Sequence, residues 1–219
     1  MIFFAAIVAG TGVRAYRDLS RPESWAYWTD QYVSPSLTST LVPNVDIDRT
    51  GQGRTALAIS GRIGPAAASW LRAKIDEAHL EKGDVVLLSS PGGNLYQAMI
   101  MGEIIRAHGL STAVGKADAS GRVHPAYCAS ACVMAYAGGS PRFGVENSAL
   151  GVHRFTTTAE VADPVADAQR TTGSILGYMT KMGVSPRVVE AMSETREIRW
   201  LSDKDAVAMN LVTAPAGAR

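Results

Sequence analysis

A chain of 219 residues, 47% of them hydrophobic, is long enough for one α/β domain with a large buried core. Its 21 basic and 20 acidic residues leave a formal net charge of +1. Spread along the chain, they form no basic stripe, so nucleic acid is excluded as an expected partner.

At the N-terminus, Met1 to Gly10 is apolar but shorter than the roughly 20 residues that a spanning helix needs. It also lacks the basic stretch that opens a signal peptide. We read it as the remnant of a signal or anchor, with membrane association as the consequence; a buried strand or helix is the alternative. From Tyr16 to Gly53 the sequence is rich in Ser, Pro, Thr and aromatic residues without sustained period, which predicts an irregular arm with a short helix around Pro22 to Tyr32. Trp25 and Trp28 are expected to clamp this arm onto the domain or a neighbouring subunit. The division is therefore residues 1–53 as apolar segment and arm, and 54–219 as the core domain.

The regular part begins with the apolar run Thr55 to Ser60, which suits a buried strand. Pro65 then opens a helix whose apolar face holds Ala66, Trp70, Leu71, Ile75 and Ala78. Val85 to Leu88 reads as a strand covered on both faces. The stripe Leu95, Ala98, Met99, Gly102 and Ile105 predicts a second helix, capped near Gly109, and Ser111 to Val114 a third strand. This alternation argues for βαβ units with right-handed crossovers. A polar loop from Lys116 to Tyr127, a helix from about Ser130 to Ala137 and a strand from Ala149 to His153 follow. Helices are expected at Pro164 to Met182 and Ser185 to Met192, and a closing helix and strand within Leu201 to Val212.

Two cysteines, Cys128 and Cys132, are too few for a structural zinc site, and no metal is expected. On a helix they would lie one turn apart on one face, where a disulfide is possible in an oxidising compartment. Two free, buried apolar residues are the favoured reading, because free cysteine is among the most buried residue types.

Three short motifs carry chemistry. A serine hydroxyl becomes a nucleophile when a base takes its proton and donors receive the charge on the substrate oxygen. Ser130, at an expected helix start, would direct the Ala131 N–H into a site. In Pro91-Gly92-Gly93 the glycines admit a close backbone approach, so the Gly93 N–H supplies a second donor. Of the four histidines, His79, His108 and His124 are expected to be solvated, and His153, closing an apolar strand, is the one placed to act as base. Each motif alone has a plain structural alternative, a cap, a turn or a packed histidine; the conjunction points to acyl transfer.

In order and wording, "SSPGG", "CASAC", "AGG" and "GVHRF" resemble the Clp-type serine peptidases of the ClpP/crotonase superfamily, and more closely their uncharacterised branch in bacterial exported or membrane-associated proteins. The similarity spans roughly Thr55 to Val212. It implies an α/β fold, the spiral of repeated β-β-α units with covering helices. It also implies Ser130 as nucleophile, His153 as general base, Gly93 and Ala131 as oxyanion donors, no cofactor, polypeptide substrates and a homo-oligomer.

In that family an aspartate precedes an aromatic-Leu-Ser stretch. Here the stretch is Trp200-Leu201-Ser202, with Ile198 at the matching place. Glu194, Glu197, Asp203 and Asp205 are the nearby carboxylates, and Glu197 is the expected third member. A Ser–His dyad and an inactive site are the alternatives. No phosphate-binding glycine motif is present, so any ATPase partner is a separate, unidentified chain. The expected function is a serine hydrolase, a peptidase of the bacterial cell envelope; a cytoplasmic location, an acyl-CoA enzyme and a non-catalytic scaffold are the rivals.

Overall fold

The computed structural model describes residues 2–33, 36–48, 50, 51, 53–118, 122–144, 146–156 and 162–214. The ends of the expected divisions, residues 1 and 215–219, and part of the expected 116–127 loop lie outside these residues.

A five-stranded sheet forms the frame, built from β1 (Leu37–Val45), β2 (Arg54–Gly61), β3 (Val85–Ser89), β4 (Ser111–Val114) and β8 (Arg142–Phe143), in the order β1-β2-β3-β4-β8. β1 is antiparallel to β2 and the other pairs are parallel. The crossovers are α3 (Ala67–Glu77) between β2 and β3, and α4 (Leu95–Ala107) between β3 and β4. Strand alternation divides the apolar residues between two faces. Leu57, Ile59, Val86, Leu88 and Val114 join the large core with both helices, while Ala56, Ala58, Val85, Leu87 and Ala113 form a smaller cluster with Val42 and Val45.

A second layer holds the motifs. β7 (Tyr127–Ala129) leads into α5 (Cys132–Ala137), and β9 (Ala149–Val152) lies between β7 and β10 (Arg199–Trp200). β7 pairs parallel with β9, and β10 antiparallel with it. A small hairpin, β5 (Lys116–Ala117) and β6 (Val123–His124), falls within the expected loop. Around these pack α6 (Pro164–Lys181), α7 (Arg187–Ser193) and α8 (Asp203–Ala208).

The N-terminal quarter departs from expectation. Residues 16–53 are not an irregular arm: they contain the end of α1 (Ile2–Leu19), all of α2 (Pro22–Val33) and β1. In sequence Pro43 interrupts the strand pattern, but β1 is an edge strand whose register shifts at this point, and a proline there forfeits no ladder hydrogen bond. α1 is solvent-exposed, with Phe4 at 74% and Val13 at 70%, so it is not a buried helix of the core. No helix among the described residues is long and apolar enough to cross a membrane. Nor do the tryptophans clamp the arm onto the domain of the same chain. Trp25 is 72% exposed, and Trp28 stacks on Tyr32 within its own helix.

Candidate active site

The Pro-Gly-Gly turn is tied at both ends. Ser90, almost fully buried, donates its N–H to the Tyr127 carbonyl and accepts at its own carbonyl from the Ala129 N–H, joining the end of β3 to β7. Its hydroxyl oxygen accepts the Gly92 N–H at 3.0 Å. Beyond the turn, the Ile63 N–H donates to the Gly92 carbonyl and the Asn94 N–H to the Ile63 carbonyl. In a parallel bridge of this kind the intervening amide, here that of Gly93, points away from the partner. It makes no hydrogen bond among the described residues. Glycine is required at both positions: φ is +94° at Gly92 and +138° at Gly93, and a Cβ on Gly93 would lie 2.2 Å from the Ile63 oxygen. Asn94 then caps α4, its side chain accepting the Gln97 N–H.

The nucleophile candidate is not at a helix N-cap. Ser130 occupies the reversal between β7 and α5, with φ at +57°, a left-handed conformation that costs a residue with a side chain roughly 1–2 kcal/mol. It is held there because its N–H donates to the Gly151 carbonyl and its carbonyl accepts from Val133. Of the described non-glycine residues with positive φ, the other four are Asn or His, types that adopt this conformation readily, and Ser130 alone is neither; strain of this kind clusters at functional sites. The Ala131 N–H that follows has no hydrogen-bond partner among the described residues. The two turns meet directly: a Cβ added to Gly92 would lie 2.8 Å from Ser130 Cβ and 2.9 Å from Ala131 N.

Gly93, Ser130, Ala131 and His153 line a single cavity of about 610 Å³. Ile63, Leu95, Met134, Phe155 and Met192 give it apolar walls, and Asp30, Arg62 and Asp167 its charged ones. The Tyr178 hydroxyl, whose pKa burial raises, stays neutral and donates to the Met134 carbonyl at 2.7 Å, fixing α6 behind the α5 wall. The Ser130 hydroxyl and His153 share the cavity but form no hydrogen bond with each other. Catalytic contacts are often long in a ligand-free enzyme and tighten when substrate binds.

The acid is where the site is incomplete. His153 Nδ1 is buried with no hydrogen-bond partner among the described residues. Glu197 is exposed, and its carboxylate does not meet the imidazole. Continuing the β9–β10 register, Arg199 opposite Val152, by one residue sets Ile198 opposite His153. The space that a carboxylate would need is therefore bordered by an aliphatic side chain.

Two further expectations are corrected. Cys128 and Cys132 are fully buried but not free: they form a disulfide, Cα to Cα 5.3 Å. They do not share a helix face; Cys128 lies in the middle of β7 and Cys132 begins α5, and the reversal between them brings both side chains into the core. His124 is not simply solvated, since its Nε2 lies 2.7 Å from Asp118 Oδ2. Sequence reasoning missed Ser90 and Gly151, whose hydroxyl and carbonyl hold the two turns. The paired serines of "SSPGG" and the glycine two residues before His153 were the available signals.

No family model and no curated protein matches the chain. Among solved structures, ClpP1 from Listeria monocytogenes is similar in fold, with a TM-score of 0.57 at 16% identity over 75% of this chain and 92% of that one. A point mutant of the same ClpP1 gives the same values. The chain thus has a ClpP-like α/β fold.

Proposed function

We propose that the chain is a serine hydrolase, a peptidase that acts on polypeptides through an acyl-enzyme. The observation that carries this reading is a strained serine whose turn abuts a glycine turn, with two unpaired amides and an imidazole around one cavity. In the reaction, Ser130 Oγ attacks the carbonyl carbon as its proton passes to His153. The oxygen's negative charge falls on the Gly93 and Ala131 amides, preorganised donors whose individual loss in such sites costs about 10²–10³-fold in rate. The protonated imidazole then supplies the leaving amine, and water, deprotonated by the same base, releases the acyl group.

With Nδ1 unpartnered, the pair works as a dyad, which predicts slow turnover. The rival use of the same donors on an acyl-CoA thioester is disfavoured by the lining, where two carboxylates accompany a single arginine. The buried disulfide supports an oxidising compartment, and hence the cell envelope. Self-association belongs to the same proposal: Tyr127 and Trp200 form an exposed edge-to-face pair across the small sheet, a surface suited to a second copy. Sedimentation equilibrium checks it, a monomer at micromolar concentration counting against it.

The decisive experiment is labelling of the folded protein with a fluorophosphonate. Modification at Ser130, lost in Ser130→Ala, is expected together with slow cleavage of casein. An unmodified Ser130 in folded protein overturns the proposal.

A further inference from the structure

We infer that the Cys128–Cys132 disulfide is a positioning device for the reacting turn, so that the site is competent when oxidised and impaired when reduced. The inference rests on the hydrolase reading for its consequence, but on the fold for its geometry.

The chord of this disulfide spans only the segment that matters. β7 ends at Ala129, whose N–H still belongs to the ladder through the Ser90 carbonyl. α5 takes up its hydrogen bonding with Val133 donating to the Ser130 carbonyl and Met134 to that of Ala131. Between these supports the chain reverses within Ala129, Ser130 and Ala131, with Ser130 left-handed. The crosslink closes this reversal from beneath: both cysteines are wholly buried, whereas Ser130 faces the cavity. Ser130 lies two residues from each sulfur.

A crosslink between residues so close in sequence removes little freedom from the unfolded chain as a whole. Its constraint acts on the local shape of the reversal. That shape sets two things, the Ser130 side-chain direction and the Ala131 amide direction, and a misplacement near 1 Å of reacting groups can cost about 10²-fold. Reduction takes two electrons and two protons from a dithiol: the S–S bond breaks, two thiols form, and the donor becomes a disulfide. Two non-bonded sulfurs stand farther apart than a bonded pair, and the surrounding core is close-packed. The side with room is the cavity side, where Ser130 lies, so the turn is the part that shifts.

The test compares the oxidised protein, the protein reduced with dithiothreitol, the reoxidised protein and the Cys128→Ala/Cys132→Ala variant, with thiol content checked by alkylation and mass spectrometry. The fluorophosphonate labelling rate at Ser130 is expected to fall on the order of 10²-fold on reduction and in the double variant, and to recover on reoxidation. The melting transition is expected to persist throughout, and hydrogen exchange across residues 129–133 to accelerate. Equal labelling in the two redox states overturns the inference. So does loss of the melting transition on reduction, which would make the bond a support of the whole core; the reduced wild-type protein decides where the double variant does not fold. Absence of labelling even in the oxidised protein defeats the hydrolase reading instead, and hydrogen exchange alone then decides: unchanged exchange at 129–133 overturns the positioning role, and accelerated exchange upholds it.

Discussion

As the proposed base, His153 would gain a proton with one ring nitrogen buried and without a hydrogen-bond partner among the described residues. A carboxylate at that nitrogen would fix the tautomer and stabilise the imidazolium, and its loss in a serine protease costs about 10⁴-fold. Ile198 borders that place: a Cβ built on Gly151 would lie 2.6 Å from Ile198 Cγ2, so this side chain covers the face of β9 on which residues 151 and 153 alternate. Replacing it should repair the dyad. Ile198→Asp is expected to raise the labelling rate and kcat by at least about tenfold, less than the full triad effect because the acid lacks supporting hydrogen bonds. Ile198→Asn, of similar size but uncharged, should give a much smaller gain. Equal rates for Ile198→Asp and the parent would show that Nδ1 is not the limiting defect. Glu197→Ala should leave the rate within about twofold, because an exposed carboxylate unpaired with the base contributes little to its charge state.

The helix that follows Ser130 is short, and its C-terminal carbonyls would be orphaned without help. Two arginines supply it. Arg106 on α4 donates to the carbonyls of Ala137, Gly138 and Gly139, and Arg142, at the start of β8, to those of Ala137, Gly139, Met182, Asn210 and Leu211. Arg142 is buried, desolvation lowers its pKa, and its guanidinium donors all end on backbone carbonyls. Arg142→Met keeps the bulk and removes the donors, leaving several buried acceptors unpaired. A loss of about 3 kcal/mol is expected, read as a melting temperature lower by roughly 10 °C. A change below about 2 °C would mean that water replaces the guanidinium. None of this was legible in the sequence, because its partners come from Ala137, Met182 and Asn210, brought together only by folding. The strands and helices from Thr55 to Val114 were legible because each buries a face of fixed period, whereas β7 and β8, too short to display a period, were not. Gly93, Ser130, Ala131 and His153 were legible as components, yet Ser130's left-handed conformation was not, since it follows from a bond to Gly151 twenty-one residues on.

At the scale of the molecule, burial rather than sequence position decides what belongs to the domain. α1 presents its described side chains to solvent, while β1 sends Leu37, Val42 and Val45 into the two clusters on either face of the main sheet. β1 and β2 pair across the boundary expected at residue 53. α2 is intermediate in this respect: it remains largely exposed, yet places Asp30 on the wall of the cavity that Ser130 and His153 line. Truncation separates these contributions. Deleting residues 2–19 is expected to leave the melting temperature within about 2 °C, since little apolar area is withdrawn from the core. Deleting residues 2–33 should preserve the fold and alter KM more than stability, because one charged wall of the cavity is lost. Deletion through Val45 strips the sheet of its edge strand and exposes the β2 ladder together with three core side chains, at about 1.5–3 kcal/mol each. With domains stable by only about 5–15 kcal/mol, that chain should be unfolded or aggregated at room temperature. Thermal denaturation followed by circular dichroism on the three truncations orders them, and a cooperative transition surviving the loss of β1 would place the domain boundary back at residue 53.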